Sequence, residues 1–367
     1  MTVCYFGNYQ KDYPRNDVLI SGLKQNNCHV LECQTRARGI KKYLSLYQQH
    51  KKIPARNASH GDAGGKNKYD VLIVGFAGHS LVWFAKLISN KPIIFDAFVS
   101  LYLTNVADRG VCSPQSLKAK YYYFLDWLSC VLADKILLDT QAQIDYFIER
   151  YKIDKNKFIR VFVGANNKIF YPDSKFNPQP DRGQNSKFVI HWHGYLVPFY
   201  GFATILEAAK ILSRQDKSVK FRFITRFNNK SEHFRNQAKS LANVEFLAEV
   251  DKKDLAKYIN QADCCLGVFG ANKKAELVIP NKIVEALACR KPVITAKHQA
   301  PAELFNHQEN IIFIEPANAQ ALADAILALK NNSELRTKIA TNGYQLYLSQ
   351  LTPKILGRQL NNILTTL

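Results

Sequence analysis

Asn281, Lys282 and Glu285 stand within little more than one turn of each other in the stretch VIPNKIVEALACRKPVIT, residues 278–295, where the neighbouring side chains are Ile, Val, Ala and Leu. The segment reads as a turn, a short helix and a buried strand, preceded by the apolar strand CCLGVFG and the loop ANKKAELVI. A helix that opens at the carboxyl end of a strand presents free N–H groups and a positive dipole end, a setting that favours an anion such as a phosphate. Lys274 and Lys282 add charge there, and Glu285, one turn after Lys282, can accept two hydrogen bonds from a ribose diol. Phosphate beside ribose points to a nucleotide. The plainer alternative is that Asn281 caps the helix, Lys282 is solvated and Glu285 pairs with a lysine.

Such a site needs parallel strands whose carboxyl ends lie together, and the rest of the chain supplies the pattern. Short runs rich in Val, Ile and Phe alternate with stretches of helical period, the signature of an α/β fold with parallel sheets covered by helices. The first half gives strands at TVCYFG, CHVLECQ, YDVLIVGF, KPIIFDAF, DKILLDT and KFIRVFVG, with helices from about Pro14 and over about 114–133. Residues 165–187 interrupt the rhythm with three prolines and many polar residues. Strands resume at FVIHWHG, VKFRFIT, VEFLAEV, CCLGVFG, KPVITA and IIFIE, followed by late helices with stripes at Leu322, Ala325, Ile326 and Leu329 and at Ile355, Leu356, Leu360, Ile363 and Leu364. The expectation is two tandem Rossmann-like, doubly wound domains, 1–170 and 188–350, joined by a linker at 171–187, with 351–367 a terminal helix returning towards the first domain. Ligands of such folds sit beyond the carboxyl ends of the strands, so two facing domains would enclose a cleft.

Composition narrows the class. A chain of 367 residues, 47% hydrophobic, is long enough for two cores. No apolar run approaches the roughly 20 residues of a membrane span, and the N-terminus lacks signal-peptide features, so the expected location is cytoplasmic. Eight cysteines fall without a CxxC pair, as reduced, buried thiols would. The net charge of +20 attracts anions, whether nucleic acid, acidic lipid or phosphorylated small molecules. It is spread over both halves, with 25 basic against 14 acidic residues up to position 175 and 25 against 16 beyond it.

The stretch KKAELVIPNKIVEALACRKPVITAKHQAPAELFNHQENIIFIEPANAQALADAILALKNNSELRTKIATNGYQLY resembles the C-terminal signature of the family-four retaining glycosyltransferases of GT-B fold. HWHGYLVPFYGFATILEAAKIL is similar to that family's opening of the second domain, VGANNKIFYP to its interdomain join, and FGNYQKDYPRN and IIFDAFVSLY to features of the first domain in one bacterial branch. The resemblance implies transfer of a glycosyl unit, of hexosyl type, from a nucleoside-diphosphate sugar with retention of configuration. The donor would lie against the second domain and a glycan or lipid-linked acceptor against the first, in cell-surface polysaccharide or glycolipid synthesis. It implies that Glu285 holds the ribose while Lys274, Lys282 and the helix start face the diphosphate, whose developing charge they stabilise without a metal or other cofactor. Gly7 and Gly194, each at a strand end, would permit close backbone approach to the same diphosphate, or serve as simple turn glycines.

Two positions depart from the family pattern. Where many relatives carry a second carboxylate this chain has Leu277, with Glu276 beside it, and the loop GYLVPFYG lacks the usual Arg or Lys, leaving Arg226 as the candidate cation. Asp96, ending the strand PIIFDAF, is placed to orient or deprotonate the acceptor hydroxyl, or to cap the segment after it, and His79 is similarly placed. His191 and His193 share one strand face without visible partner ligands and read as core or cleft-lining residues, so no metal site is expected.

Residues 36–56 carry Arg36, Arg38, Lys41, Lys42, Lys51, Lys52 and Arg56 with no acid, and Ile40, Tyr43, Leu44 and Tyr47 share a helical face. That is the pattern of a helix lying on an anionic membrane surface, which would make the enzyme peripheral at the inner face of the cell membrane, or of a surface helix packing its stripe on the sheet. A sugar-nucleotide epimerase of similar fold and a basic nucleic-acid-binding protein are the alternatives. The Pro-x-Lys-x-x-Glu helix favours transfer, and no nucleic-acid-binding module is present. The sequence names neither the base and sugar of the donor, nor the acceptor, the linkage or the oligomeric state.

Overall fold

The computed structural model describes residues 1–53, 69–176 and 187–366, so Arg56 and linker residues 177–186 lie outside the described residues. The chain divides into two compact units, 1–164 with 352–367, and 165–351. The sequence-based boundary at 170 moves back because residues 165–173 are tied to the second unit. The Tyr347 hydroxyl donates to Ala165 O at 3.0 Å. Asn260 donates to Tyr171 O and accepts from Asp173 N, both at 3.0 Å.

The first unit is built on a parallel sheet of β1 (Thr2–Gly7), β2 (His29–Gln34), β3 (Val71–Val74), β4 (Ile93–Phe98), β5 (Lys135–Leu138) and β6 (Phe158–Arg160), ordered β2-β1-β3-β4-β5-β6. Its helices are α1 (Pro14–Gln25), α2 (Lys41–Lys52), α3 (Val82–Ile88), α4 (Leu117–Leu132) and α5 (Gln141–Tyr151). Near-continuous apolar strands suit a sheet buried on both faces. Alternation along each strand then sorts the side chains: Val3, Tyr5, Ile73 and Ile94 face the α1 side, and Cys4, Phe6, Leu72 and Phe95 face the side covered by α2 to α5. The expected stripe on α2 is rearranged. Leu46 is buried and Tyr43 partly so, whereas Ile40, Leu44 and Tyr47 are exposed.

The second unit carries β7 (Phe188–His193), β8 (Val219–Ile224), β9 (Val244–Leu247), β10 (Cys264–Leu266), β11 (Val293–Ala296) and β12 (Ile312–Ile314), all parallel, ordered β12-β11-β10-β7-β8-β9. Around it run α6 (Phe202–Gln215), α7 (Glu232–Ala238), α8 (Lys252–Gln261), α9 (Lys273–Leu277), α10 (Asn281–Ala288), α11 (Gln299–Ala302), α12 (Ala319–Asn331) and α13 (Ser333–Leu346). Phe188, Ile190 and Trp192 of β7 enter the core with α6 and α12, which leaves His191 and His193 for the opposite face. Strand order reverses between β7 and β10, the crevice where ligands of doubly wound sheets bind.

A last helix, α14 (Pro353–Leu364), rejoins the first unit against α1. The two helices touch at glycines: a Cβ on Gly22 would lie 2.2 Å from Pro353 O, and one on Gly357 2.1 Å from the Gly22 carbonyl carbon. Only the absence of side chains lets the backbones approach so closely. Among the described residues no helix is long and apolar enough to cross a membrane, and no group of three or more His, Cys, Asp or Glu could hold a metal ion.

Candidate functional site

The end of β7 sets the geometry of the second unit. Gly194 leaves the strand at φ +128°, where a Cβ would be strained and would meet Lys282 Nζ at 3.1 Å. Its carbonyl accepts from Thr225 Oγ1 at 2.7 Å, at the end of the neighbouring β8. The chain then turns through Pro198–Tyr200 into Gly201, whose φ of +64° and close approach to the Gly270 backbone exclude any larger residue. Phe269 N and Gly270 N donate to Tyr200 O and Phe199 O. These bonds lock the loop after β7 to the loop after β10, and so fix the Tyr200 ring edge-on to Trp192 at 5.7 Å.

Lys282 occupies the space this creates. Its amine lies 3.4 Å from the Tyr200 ring centroid and 3.9 Å from that of Trp192. It is buried, and the amine lacks a hydrogen-bond partner among the described residues. Burial pushes its pKa well below the ordinary lysine value, and the Glu285 carboxylate only partly opposes this. The rings supply cation–π attraction but no acceptor, so the site is arranged for an anion that the protein itself does not provide.

Glu285, one turn on, is also buried, and its Oε2 lies 3.0 Å from His193 Nε2. His193 Nδ1 in turn lies 3.0 Å from His191 Nε2. The bonds fit one set of tautomers: His193 donates from Nε2 to the carboxylate, and His191 donates from Nε2 to His193, which leaves His191 Nδ1 unprotonated. That atom is without a partner among the described residues, and burial, with the His193, Arg222 and Lys282 charges adding to it, holds His191 well below the ordinary histidine value, in the neutral state this scheme needs. The result is a carboxylate with one oxygen tethered and the other open.

Pro280 is the N-cap of α10 and offers no side-chain acceptor, so the first N–H groups of the helix stay uncapped by a side chain. Asn281, expected as a possible cap, is the first residue of the helix instead, and its buried Oδ1 has no partner among the described residues. Lys274 is buried on α9 with its amine 4.7 Å from the Phe199 ring. Arg226 is exposed directly after Thr225. Leu277 is buried, and Glu276 lies 2.8 Å from Lys273 in a surface ion pair. Gly194, Asn281, Lys282 and Glu285 therefore gather at the carboxyl end of β7. Sequence reasoning missed Tyr200 and Trp192 and gave His193 no role. The signal for His193 was available: alternation in FVIHWHG puts it on the face that α10 covers.

In the first unit Gly7 ends β1 at φ +149° beside Gly75, at the reversal of strand order between β1 and β3. Asp96 and His79 do not match the expectation of acceptor-facing groups. Asp96 is fully buried on the α1 side of β4, and its Oδ1 lies 3.0 Å from Arg15 Nη2, while Nε lies 3.1 Å from both carboxylate oxygens. Burial raises its pKa against the pull of Arg15. His79 is buried against the Phe95 ring, 3.4 Å from Asp126 Oδ1, and burial lowers its pKa. Asp126 already accepts from Ser100 Oγ, Tyr151 Oη, Leu101 N and Tyr102 N. Both candidates belong to interior polar networks rather than to an accessible surface.

Comparison with known proteins gives this geometry its context. The family model for "Glycosyl transferases group 1" matches residues 173–346. A probable sucrose-phosphate synthase of Thermosipho melanesiensis is 24% identical over 258 residues, 69% of this chain and 56% of that protein. A 2-deoxystreptamine N-acetyl-D-glucosaminyltransferase of Niallia circulans is 21% identical over 79% of this chain and 74% of that one. The chain thus spans little more than half the length of the Thermosipho relative. Among solved structures, HepE of Anabaena in complex with UDP and glucose aligns over 100% of this chain and 99% of its own with a TM-score of 0.71 at 15% identity. Sucrose-phosphate synthase of Thermosynechococcus elongatus aligns over 100% and 98%, with a TM-score of 0.72 at 15% identity. Residues 173–346, which hold α10, are thus similar to the group 1 glycosyl transferases, and the chain as a whole has the GT-B fold.

Proposed function

We propose that the protein transfers a hexosyl unit from a nucleoside-diphosphate sugar to a hydroxyl of a glycan or lipid-linked acceptor, with retention of configuration and without a metal. The observation that carries the reading is the buried Lys282 amine, without a hydrogen-bond partner among the described residues, beside the half-tethered Glu285 at the start of α10. In this scheme the open Glu285 oxygen accepts from the ribose diol. Lys282 and the uncapped N–H groups of α10 face the diphosphate, with Lys274 and Arg226 flanking it and the bare Gly194 backbone allowing close approach. As the bond from the anomeric carbon to the diphosphate breaks, negative charge grows on the departing oxygens, and fixed cations and N–H dipoles stabilise it.

The acceptor oxygen bonds to the same face of the anomeric carbon, and its proton passes to the departing phosphate. The burial of Asp96 and His79 supports that route, since neither is accessible to serve as the base. Solved relatives that carry UDP or UDP-glucose make uridine diphosphate the first nucleotide to test.

A thermal-shift panel of UDP, GDP, ADP, CDP and dTDP against wild type and Glu285→Ala is the direct test. Selective stabilisation by one diphosphate, reduced about tenfold or more in affinity by the substitution, is the expected result. No stabilisation by any of the five would overturn the donor site. Conversion of the donor into an epimeric nucleoside-diphosphate sugar, with neither free nucleotide nor glycosylated product, would favour an epimerase.

A further inference from the structure

Helix α4 is apolar on two opposite sides. Ala119, Ser129 and Cys130 face the core, while Leu117 (83% exposed), Tyr121, Phe124, Trp127 and Val131 form a stripe open to solvent. An ordinary surface helix carries charge on that side. The stripe continues along the same face of the sheet. Helix α3, packed against α4, exposes Trp83 and Leu87, and α2 exposes Ile40, Leu44 and Tyr47. Tyr43 joins α2 to α3, with its ring 5.4 Å from Trp83 and its hydroxyl donating to Ser80 O at 3.3 Å. One layer of three helices therefore turns its large apolar side chains outward together, a display well beyond singly scattered surface residues.

The exposed charges carried by these three helices are basic, and the nearby Asp134, after α4, pairs with Lys86 of α3. Arg36, Arg38, Lys41, Lys51, Lys52, Lys118 and Lys120 are exposed, and the sole acid within residues 36–52 and 117–131 is the buried Asp126. Lys51 lies over the Tyr47 ring at 4.6 Å and Lys42 over the Tyr43 ring at 4.9 Å, so both amines stand beside aromatic rings. Trp and Tyr favour the boundary between headgroups and acyl chains, where Lys and Arg reach to phosphate. A second copy of this chain would meet the same positive charge on its own surface, and a nucleic acid would leave the aliphatic side chains without a partner.

We infer that the outer face of α2, α3 and α4 is a docking surface for an anionic lipid bilayer, with the aromatic and aliphatic side chains entering the interface and the lysines and arginines contacting lipid phosphates. The surface uses no residue of the α10 site, so it stands apart from the donor chemistry.

The test uses the full chain and unilamellar vesicles of phosphatidylcholine alone or mixed equally with phosphatidylglycerol. Trp83 and Trp127 are two of three tryptophans in the chain, and the third, Trp192, is buried. Binding to the mixed vesicles is expected to shift tryptophan emission to the blue and to allow quenching by brominated phosphatidylcholine. It should weaken by more than about tenfold in Lys118→Glu/Lys120→Glu and, separately, in Leu117→Ser/Tyr121→Ser/Phe124→Ser. These positions are exposed, and an unchanged melting temperature confirms the fold. Failure of the wild type to bind mixed vesicles at physiological salt overturns the inference. So does binding that the apolar triple variant retains, which would be nonspecific charge attraction. Dimerisation abolished by the triple variant, without lipid binding, would make the face a self-interface and also overturn it.

Discussion

A lysine amine enclosed by Trp192 and Tyr200, with no hydrogen-bond acceptor among the described residues, destabilises the ligand-free protein. Lys282→Met keeps the stem and removes the charge, so the ligand-free melting temperature should rise, by roughly 2–4 °C per kcal/mol relieved. Nucleoside-diphosphate affinity should fall by about tenfold or more in calorimetry. The sign of the pH dependence follows from the lowered pKa of Lys282. Between that value and the ordinary one of about 10.4 the unfolded chain binds the extra proton, so ligand-free stability climbs as pH rises through the window. A bound diphosphate restores the proton, so binding takes up a proton and weakens as pH rises. Titrations in two buffers of different ionisation heat should show the uptake in wild type and not in Lys282→Met. Asp96→Asn strands Arg15 in the core and should cost about 3–5 kcal/mol in urea unfolding. A variant of wild-type stability that loses only turnover would contradict the structural role given to Asp96. Much of the site was legible because Lys282 and Glu285 follow a proline at a strand-to-helix junction. Asp96 was misread because the end of a strand was taken to mean its open edge. Alternation in IIFDAF pairs it with Ile94 on the α1 side, and the lone Arg15 in the first turn of α1 was the available clue.

At the scale of elements, the junction between β7 and α10 is held by one backbone turn and one side-chain tether. Gly194→Ala tests the turn. At φ +128° an alanine is strained, and its Cβ would press on Lys282 Nζ at 3.1 Å, so a stability loss of about 1–3 kcal/mol is expected. The amine should also move, and nucleotide affinity should drop in the same variant while the far-UV spectrum is unchanged. An alanine variant with wild-type affinity and stability would show that the turn has slack. The role of this junction was only partly visible in HWHG, since a glycine after a strand marks a turn without naming the side chain that fills the space above it. The aromatic sandwich depends on the lock between the loops after β7 and β10, whose residues are some seventy positions apart, and no local pattern encodes that pairing.

For the whole molecule, all twelve strands among the described residues were legible, because parallel strands buried on both faces are short, apolar and bounded by polar loops. The strand orders were not, as order depends on which helices cross which face. Helix α14 was visible as an amphipathic stripe, and its seat on α1 depends on Gly22 and Gly357, whose roles appear only when the helices are brought together. Removing residues 353–367 bares the apolar face of α1, including Val18, Leu19 and Leu23. The truncated protein should lose the first unit's cooperative unfolding transition in calorimetry while the transition of residues 165–351 persists. The glycine contact also orders events during synthesis. Helix α14 is translated after every residue of the second unit, so the first sheet, translated earliest, waits longest for the last helix of its own core. The half of the protein that is made first is therefore the half that is finished last, and until then its α1 side is the surface a chaperone would meet.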